Sequence, residues 1–209
     1  HHRPMTESPK TPYVFAAVLF LAVLGVYLPG LHNALVFDDL RLGDGTIFGE
    51  YGSLLQFKQR MLSYGSFVWV QDLLGEGWWK QRLVNLALHL GVVAALYLLL
   101  KALVGTAHFP QEFEEHEYFE CSRTAALRVG VALFALNPVA VYAVAYLAQR
   151  SIVMATLFAV LACWMFVRGL QTGTGAWFAC ALLSYVAAVL SKEYAVMTAA
   201  MTVPLYIYI

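Results

Sequence analysis

Residues 12–31, "PYVFAAVLFLAVLGVYLPGL", run without a single charged side chain. A helix rises about 1.5 Å per residue, so a run of about 20 such residues crosses the roughly 30 Å hydrocarbon core of a bilayer. The run is too long for the core of a signal peptide and no small-residue cleavage site follows it, so it is expected to stay as an anchor. Comparable runs return at 83–104 and from Thr124 almost to Ile209. Hydrophobic residues make up 61% of the chain and charged residues 12%, where a soluble domain has about half and about a quarter. The chain therefore reads as an all-α integral membrane protein. Its net charge is zero and it has no Lys/Arg block, which excludes a general nucleic-acid-binding surface. Its cysteines, Cys121, Cys163 and Cys180, lack metal-ligand spacing and are odd in number, against a zinc site or a disulfide framework.

The interruptions set the expected topology. "HHRP" before Met5 resembles a purification-tag remnant, so residues 1–11 are assigned to a tag and a cytosolic tail, and 12–209 to one polytopic domain. Span one covers 12–31, residues 32–82 form a first outer loop, span two covers 83–104, and the acidic residues 105–123 form a cytosolic loop. Asn137-Pro138 interrupts span three, because proline lacks a backbone donor and clashes with the preceding turn. Gln149-Arg150-Ser151 precedes span four at 152–168, and the glycines of "RGLQTGTG" mark a turn. A helix over 176–209 would be about 51 Å long, so a break is expected at Lys192-Glu193, between spans five and six. Six spans result. The chain stops inside an apolar run, so it is expected to be an N-terminal part of something longer. Within the first loop, Leu54, Phe57, Met61 and Leu62 recur at helical spacing opposite Lys58 and Arg60, the pattern of an interfacial helix. Trp69, Trp78 and Trp79 suit the headgroup zone.

Three charged features flank apolar helix ends on one side of the membrane in this topology: Asp38-Asp39, Arg150 and Lys192-Glu193. Ionisable groups at such depth are costly and usually functional. A carboxylate beside a hydroxyl acts as general base, and a second carboxylate next to it raises its proton affinity. Arg150 and Lys192 are suited to neutralising a departing phosphate. Asp38 and Asp39 also offer oxygen ligands for Mg²⁺ or Mn²⁺, though no third ligand stands at fixed spacing. The same residues have plainer roles open to them: helix capping for Asp38-Asp39, interfacial anchoring for Arg150, Lys192 and Arg82, and interhelical hydrogen bonding for Asn85 and His89, which share a face at i, i+4. His32 suits the interface, and Asp44 and Glu76 suit solvated loop positions.

"FDD" after the first span, "RLVNLALHL" opening the second, "LNPVAVYAVAYLAQRS" and "LSKEYAV" together resemble the membrane glycosyltransferases of the GT-C fold. The similarity is to the protein O-mannosyltransferase-like branch, in which transmembrane spans precede tetratricopeptide repeats. The resemblance implies an inverting glycosyltransferase that moves a sugar from a polyprenyl-phosphate donor to a hydroxyl of a protein or glycan acceptor. It implies catalytic Asp39 and Asp38, with Asp39 the base. Arg150 and Lys192 face the lipid phosphate, and Glu193, His89, Asn85 and Arg82 support the site. It places the N-terminus in the cytosol and the site towards periplasm or lumen, in a bacterial inner membrane or the endoplasmic reticulum. A transporter or flippase for an anionic lipid, and a non-catalytic scaffold subunit, are the alternatives. A transporter calls for polar residues near mid-span, and spans four and five carry almost none.

Overall fold

The computed structural model describes residues 11–52, 58–107 and 118–209. All regular structure among these residues is helical. In chain order the helices are α1 (Thr11–Tyr27), α2 (Leu40–Gly43), α3 (Thr46–Glu50), α4 (Met61–Leu74), α5 (Trp78–Thr106), α6 (Phe119–Ala135), α7 (Ala140–Ala145), α8 (Arg150–Thr172), α9 (Gly175–Ser191) and α10 (Thr202–Tyr208). Short 3₁₀ segments lie at Leu28–His32, Phe37–Asp39, Leu147–Gln149 and Glu193–Met201.

Among the described residues, three helical stretches are long and apolar enough to cross a membrane: Thr11–His32, Trp78–Thr106 and Leu147–Thr172. The helices α6 and α9 have 17 residues each, about 26 Å at helical rise. Beyond Lys192 the chain does not form one long helix; it makes a 3₁₀ run and then the short α10.

The interruptions have local causes. The helix α6 ends at Ala135, and Asn137 Oδ1 takes the Val139 N–H at 2.9 Å. That side-chain turn replaces the helical ladder just where Pro138 has no N–H to give. Gly173 sits at φ 66 after α8 and its N–H bonds Gly169 O at 2.8 Å, a left-handed C-terminal stop suited to glycine. Lys192 is extended (φ −157, ψ 129) and ends α9.

Two interfaces organise the spans. Val23 and Tyr27 of α1 pack with Leu86 and Val93 of α5 and Val131 and Ala135 of α6. The helices α8 and α9 form a tight hairpin through Ala155 and Ala188, joined by Ala195, and a Cβ built on Gly169 would lie 2.9 Å from the Phe178 ring. Small residues at the seam let the backbones approach, as dispersion packing in lipid requires.

The first outer loop differs from expectation. Leu54 and Phe57 lie outside the described residues, so the interfacial helix cannot be placed on them. The loop's principal helix is α4, and Ser63, Gly65, Ser66, Phe67 and Val68 on it are buried. It is tied into the bundle and does not lie free at a surface, because Ser63 Oγ donates to Ser191 O at 2.8 Å and Phe67 belongs to a core with Leu42, Ile47, Tyr51 and Leu147. The second span also begins earlier, at Trp78, so the loop ends before residue 82.

Candidate functional site

Helix breaks expose backbone groups that water cannot reach, and each must find a partner. One face of α5 supplies them. Arg82, Asn85 and His89, spaced i, i+3 and i+7, are all buried. His89 Nε2 lies 3.0 Å from Ala135 O, and Tyr27 donates to the same carbonyl at 3.3 Å; a carbonyl only accepts, so Nε2 carries the proton. Asn85 Nδ2 reaches Val144 O at 3.4 Å. Arg82 donates to Ala145 O, Leu31 O and Ala34 O at 3.0, 3.0 and 3.2 Å. These side chains hold the broken stretch between α6 and α8, and the ends of α1, against α5. The side-chain nitrogens of Arg82, Asn85 and His89, expected to support a substrate site, here reach backbone carbonyls, and Asn85 Oδ1 accepts from Arg150. Arg82 is no snorkelling anchor.

Arg150, expected to face a lipid phosphate, is turned into the bundle. Its side chain is 0% exposed. Nε donates to Asn85 Oδ1 at 2.7 Å, Nη1 to Ser66 Oγ at 3.2 Å and Nη2 to Gln81 O at 2.7 Å, with the Phe67 ring centroid 3.8 Å from Cζ. Three of the five guanidinium N–H donors are engaged inside the bundle and the Phe67 ring covers one face, so the head group points inward and away from any surface. Arg150 joins α4, α5 and α8.

The acidic pair divides. Asp39 is 1% exposed, and its two oxygens accept the N–H groups of Ala148 at 2.7 Å and Leu147 at 3.0 Å. It caps the 3₁₀ turn that leads into α8, a role sequence reasoning had offered only for a helix of its own loop. Burial lifts the Asp39 carboxyl above the ordinary carboxylate range; the two N–H bonds and Arg82 pull it back, and Asp38 adds to the rise. With both oxygens turned to backbone donors and the side chain buried, Asp39 is poorly placed as a base. Among the described residues no group of three His, Cys, Asp or Glu side chains is placed to hold a metal.

Asp38, by contrast, is exposed. Its backbone N–H donates to Tyr146 Oη at 2.9 Å, so both its neighbour and its own main chain fix it against the 146–148 segment. Phe37 before it has φ 50 and is 82% exposed. A phenylalanine in left-handed backbone is uncommon and strained, and the strain sits beside the one exposed acid of the pair.

Lys192 and Glu193 stand at the same end of the bundle. The link is a chain of contacts: Asp39 binds Ala148, two residues before Arg150; Arg150 binds Ser66; and Ser63, one turn earlier, binds Ser191 O. Glu193 takes the fork of Arg60, Nε to Oε2 at 2.9 Å with Nη2 on Oε1. That fork holds the Glu193 carboxyl down to about 2. Lys192 is half-buried; burial and then the Arg60 charge push its ammonium below the ordinary lysine range, and Glu193 opposes them. Glu193 therefore orders Arg60 and not, by any hydrogen bond present, Lys192. Sequence reasoning missed Arg60, Tyr146, Ser63 and Ser66. Arg60, Ser63 and Ser66 were hinted at only by their periodic placement in a mixed polar-aromatic loop, and Tyr146, beside the break before Arg150, had no such signal.

The chain matches no protein-family model, no curated protein and no solved structure.

Proposed function

We propose that this chain is a multi-pass membrane glycosyltransferase of inverting type, taking a sugar from a polyprenyl-phosphate donor to a hydroxyl of a protein or glycan acceptor. The single observation that carries the reading is the fixed, exposed carboxylate of Asp38. It is pinned through its main chain to Tyr146 and through its neighbour to the mouth of α8, at the bundle end that also holds Lys192. In this reading six crossings, with α6, α9 and the segment after Lys192 completing the set, give the GT-C arrangement, and this end faces periplasm or lumen.

The chemistry needs two groups. The acceptor oxygen attacks the anomeric carbon while Asp38 takes its proton, a step for which a positioned carboxylate contributes about 10²–10⁴-fold. The bond from the anomeric carbon to the phosphate oxygen breaks, and polyprenyl phosphate leaves with its negative charge met by the Lys192 ammonium. Compared with the sequence expectation, the base moves from Asp39 to Asp38 and the phosphate contact falls to Lys192 alone.

Reconstitution in liposomes with a polyprenyl-phosphate hexose and a hydroxyl acceptor tests this. Asp38→Asn is expected to lower transfer at least about 100-fold while the protein stays folded. Undiminished transfer in Asp38→Asn removes the proposal. Loss of lipid movement across the bilayer, with no transfer in the wild type, substitutes the transporter.

A further inference from the structure

We infer that the cavity walled by Phe48, Trp78, Gln71 and Glu76 above the buried amide of Gln81 is a binding site for a neutral sugar ring. The cavity lies between α3, the end of α4 and the start of α5 and measures about 560 Å³, within the usual range for small-ligand sites.

Its floor asks for a donor. Gln81 is 3% exposed, and its Nε2 donates to Phe67 O at 3.0 Å. A carbonyl can only accept, so this bond fixes which end of the amide is which. Gln81 Oε1 then has no hydrogen-bond partner among the described residues. A buried acceptor left unmet is costly and calls for an explanation. A ligand hydroxyl supplies what it lacks.

The walls select the rest of the ligand. Phe48 and Trp78 meet at a ring separation of 6.4 Å and an angle of 53°, an aromatic corner that suits the C–H face of a pyranose, as amphipathic pockets of this kind do. Gln71 and Glu76 offer amide and carboxylate oxygens for further hydroxyls. Among the described residues that line the cavity there is no Lys, Arg or His, and Glu76 is the one ionisable group. An anionic ligand such as a lipid phosphate is therefore disfavoured, and a neutral polyhydroxyl ring is favoured. Gly77, at φ 135, makes the turn that delivers Trp78 to the wall, in backbone that a side chain rarely adopts.

The inference rests on the cavity and not on the transferase proposal; taken together with that proposal, the site seats the acceptor glycan. The test uses the full chain in a detergent without sugar headgroups. Methyl α-glucoside, methyl α-mannoside and methyl β-galactoside are titrated by calorimetry and saturation-transfer NMR, with inorganic phosphate and an N-acetylated dipeptide amide as comparators. At least one glycoside is expected to bind saturably, and Gln81→Met is expected to weaken it about tenfold or more. Where Gln81→Met does not fold, Glu76→Ala at the exposed rim is expected to weaken it several-fold. Asp38→Asn is expected to leave glycoside binding intact whether or not transfer survives, which separates this site from the transferase proposal. Absence of saturable glycoside binding overturns the inference. So does equal affinity in the variants, or binding of phosphate or the dipeptide in place of the glycosides.

Discussion

The Asp39 carboxylate accepts the Ala148 N–H at 2.7 Å across 109 positions of chain. The acidic pair of the first outer loop and the entry to α8 are thus one unit, and whatever Asp38 does is done from a platform set by its neighbour. The same bond shows why the two acids have different roles: one faces the backbone and the other is exposed.

Removing the cap should cost stability and not chemistry alone. Asp39→Ala leaves the Leu147 and Ala148 N–H groups unmet, a loss of about 1–3 kcal/mol, measured by unfolding in mixed micelles. Asp39→Asn keeps part of the cap. Because burial raises the Asp39 carboxyl, the folded chain holds that proton more tightly than the unfolded one. The stability this contributes is present below the unfolded value of about 3.9 and is lost as pH rises through the raised folded value. The wild type's advantage over Asp39→Asn should therefore be largest in acid and shrink towards neutrality; an advantage that grows with pH contradicts the burial.

The Arg60–Glu193 fork should behave in the opposite sense. Arg60 depresses the Glu193 carboxyl from 4.5 to about 2, so its contribution is complete above the unfolded value and disappears as pH falls through the folded one. Both side chains are partly exposed, which limits the pair to about 1 kcal/mol or less. Cross-linking between cysteines placed on α4 and after residue 193 should report contact that is steady from neutrality through the ordinary carboxylate range and loosens only as pH approaches about 2. Glu193→Gln should be loose throughout.

What could be read from the sequence was the set of places where helices stop. Lys192-Glu193, Asn137-Pro138 and Gly173 each violate a local rule inside an apolar run, and the structure has a break at each. What could not be read was what serves those breaks. A charge at a helix end has the same local sequence whether its head meets a lipid phosphate, water or a distant carbonyl, so Arg150 gave no sign that it points inward. Asp39 was illegible for the same reason, its partners being more than 100 residues away. The spacing of Arg82, Asn85 and His89 did carry a usable signal, since a polar stripe of that length on a span faces protein and not lipid. Gln81, one position before the stripe, carried none.

Gly169 of α8 leaves room for the Phe178 ring of α9. A Cβ there meets the Phe178 ring at 2.9 Å, closer than packed atoms tolerate. Gly169→Val should destabilise the hairpin by about 1–3 kcal/mol through overpacking, read from the unfolding midpoint. Phe178→Leu in the same chain should recover part of the loss, because contacting residues couple in a double-mutant cycle. Strict additivity of the two changes sinks the contact.

Arg150 offers the sharpest separation of structure from chemistry. As an internal tie its loss takes the donor from Asn85 Oδ1 and unties Ser66 of α4 and Gln81 of α5 from α8, and even Arg150→Lys cannot span three partners in the plane that the guanidinium fork provides. Arg150→Lys and Arg150→Met should each lower stability by about 3 kcal/mol or more. Under the transferase proposal, the protein that remains folded should keep its affinity for polyprenyl phosphate, because the Arg150 head group is turned into the bundle. Lys192→Met should do the reverse, sparing the fold and weakening the lipid phosphate. A phosphate affinity that falls with Arg150→Lys while the unfolding midpoint holds steady returns Arg150 to the substrate and overturns its assignment as a buried strut.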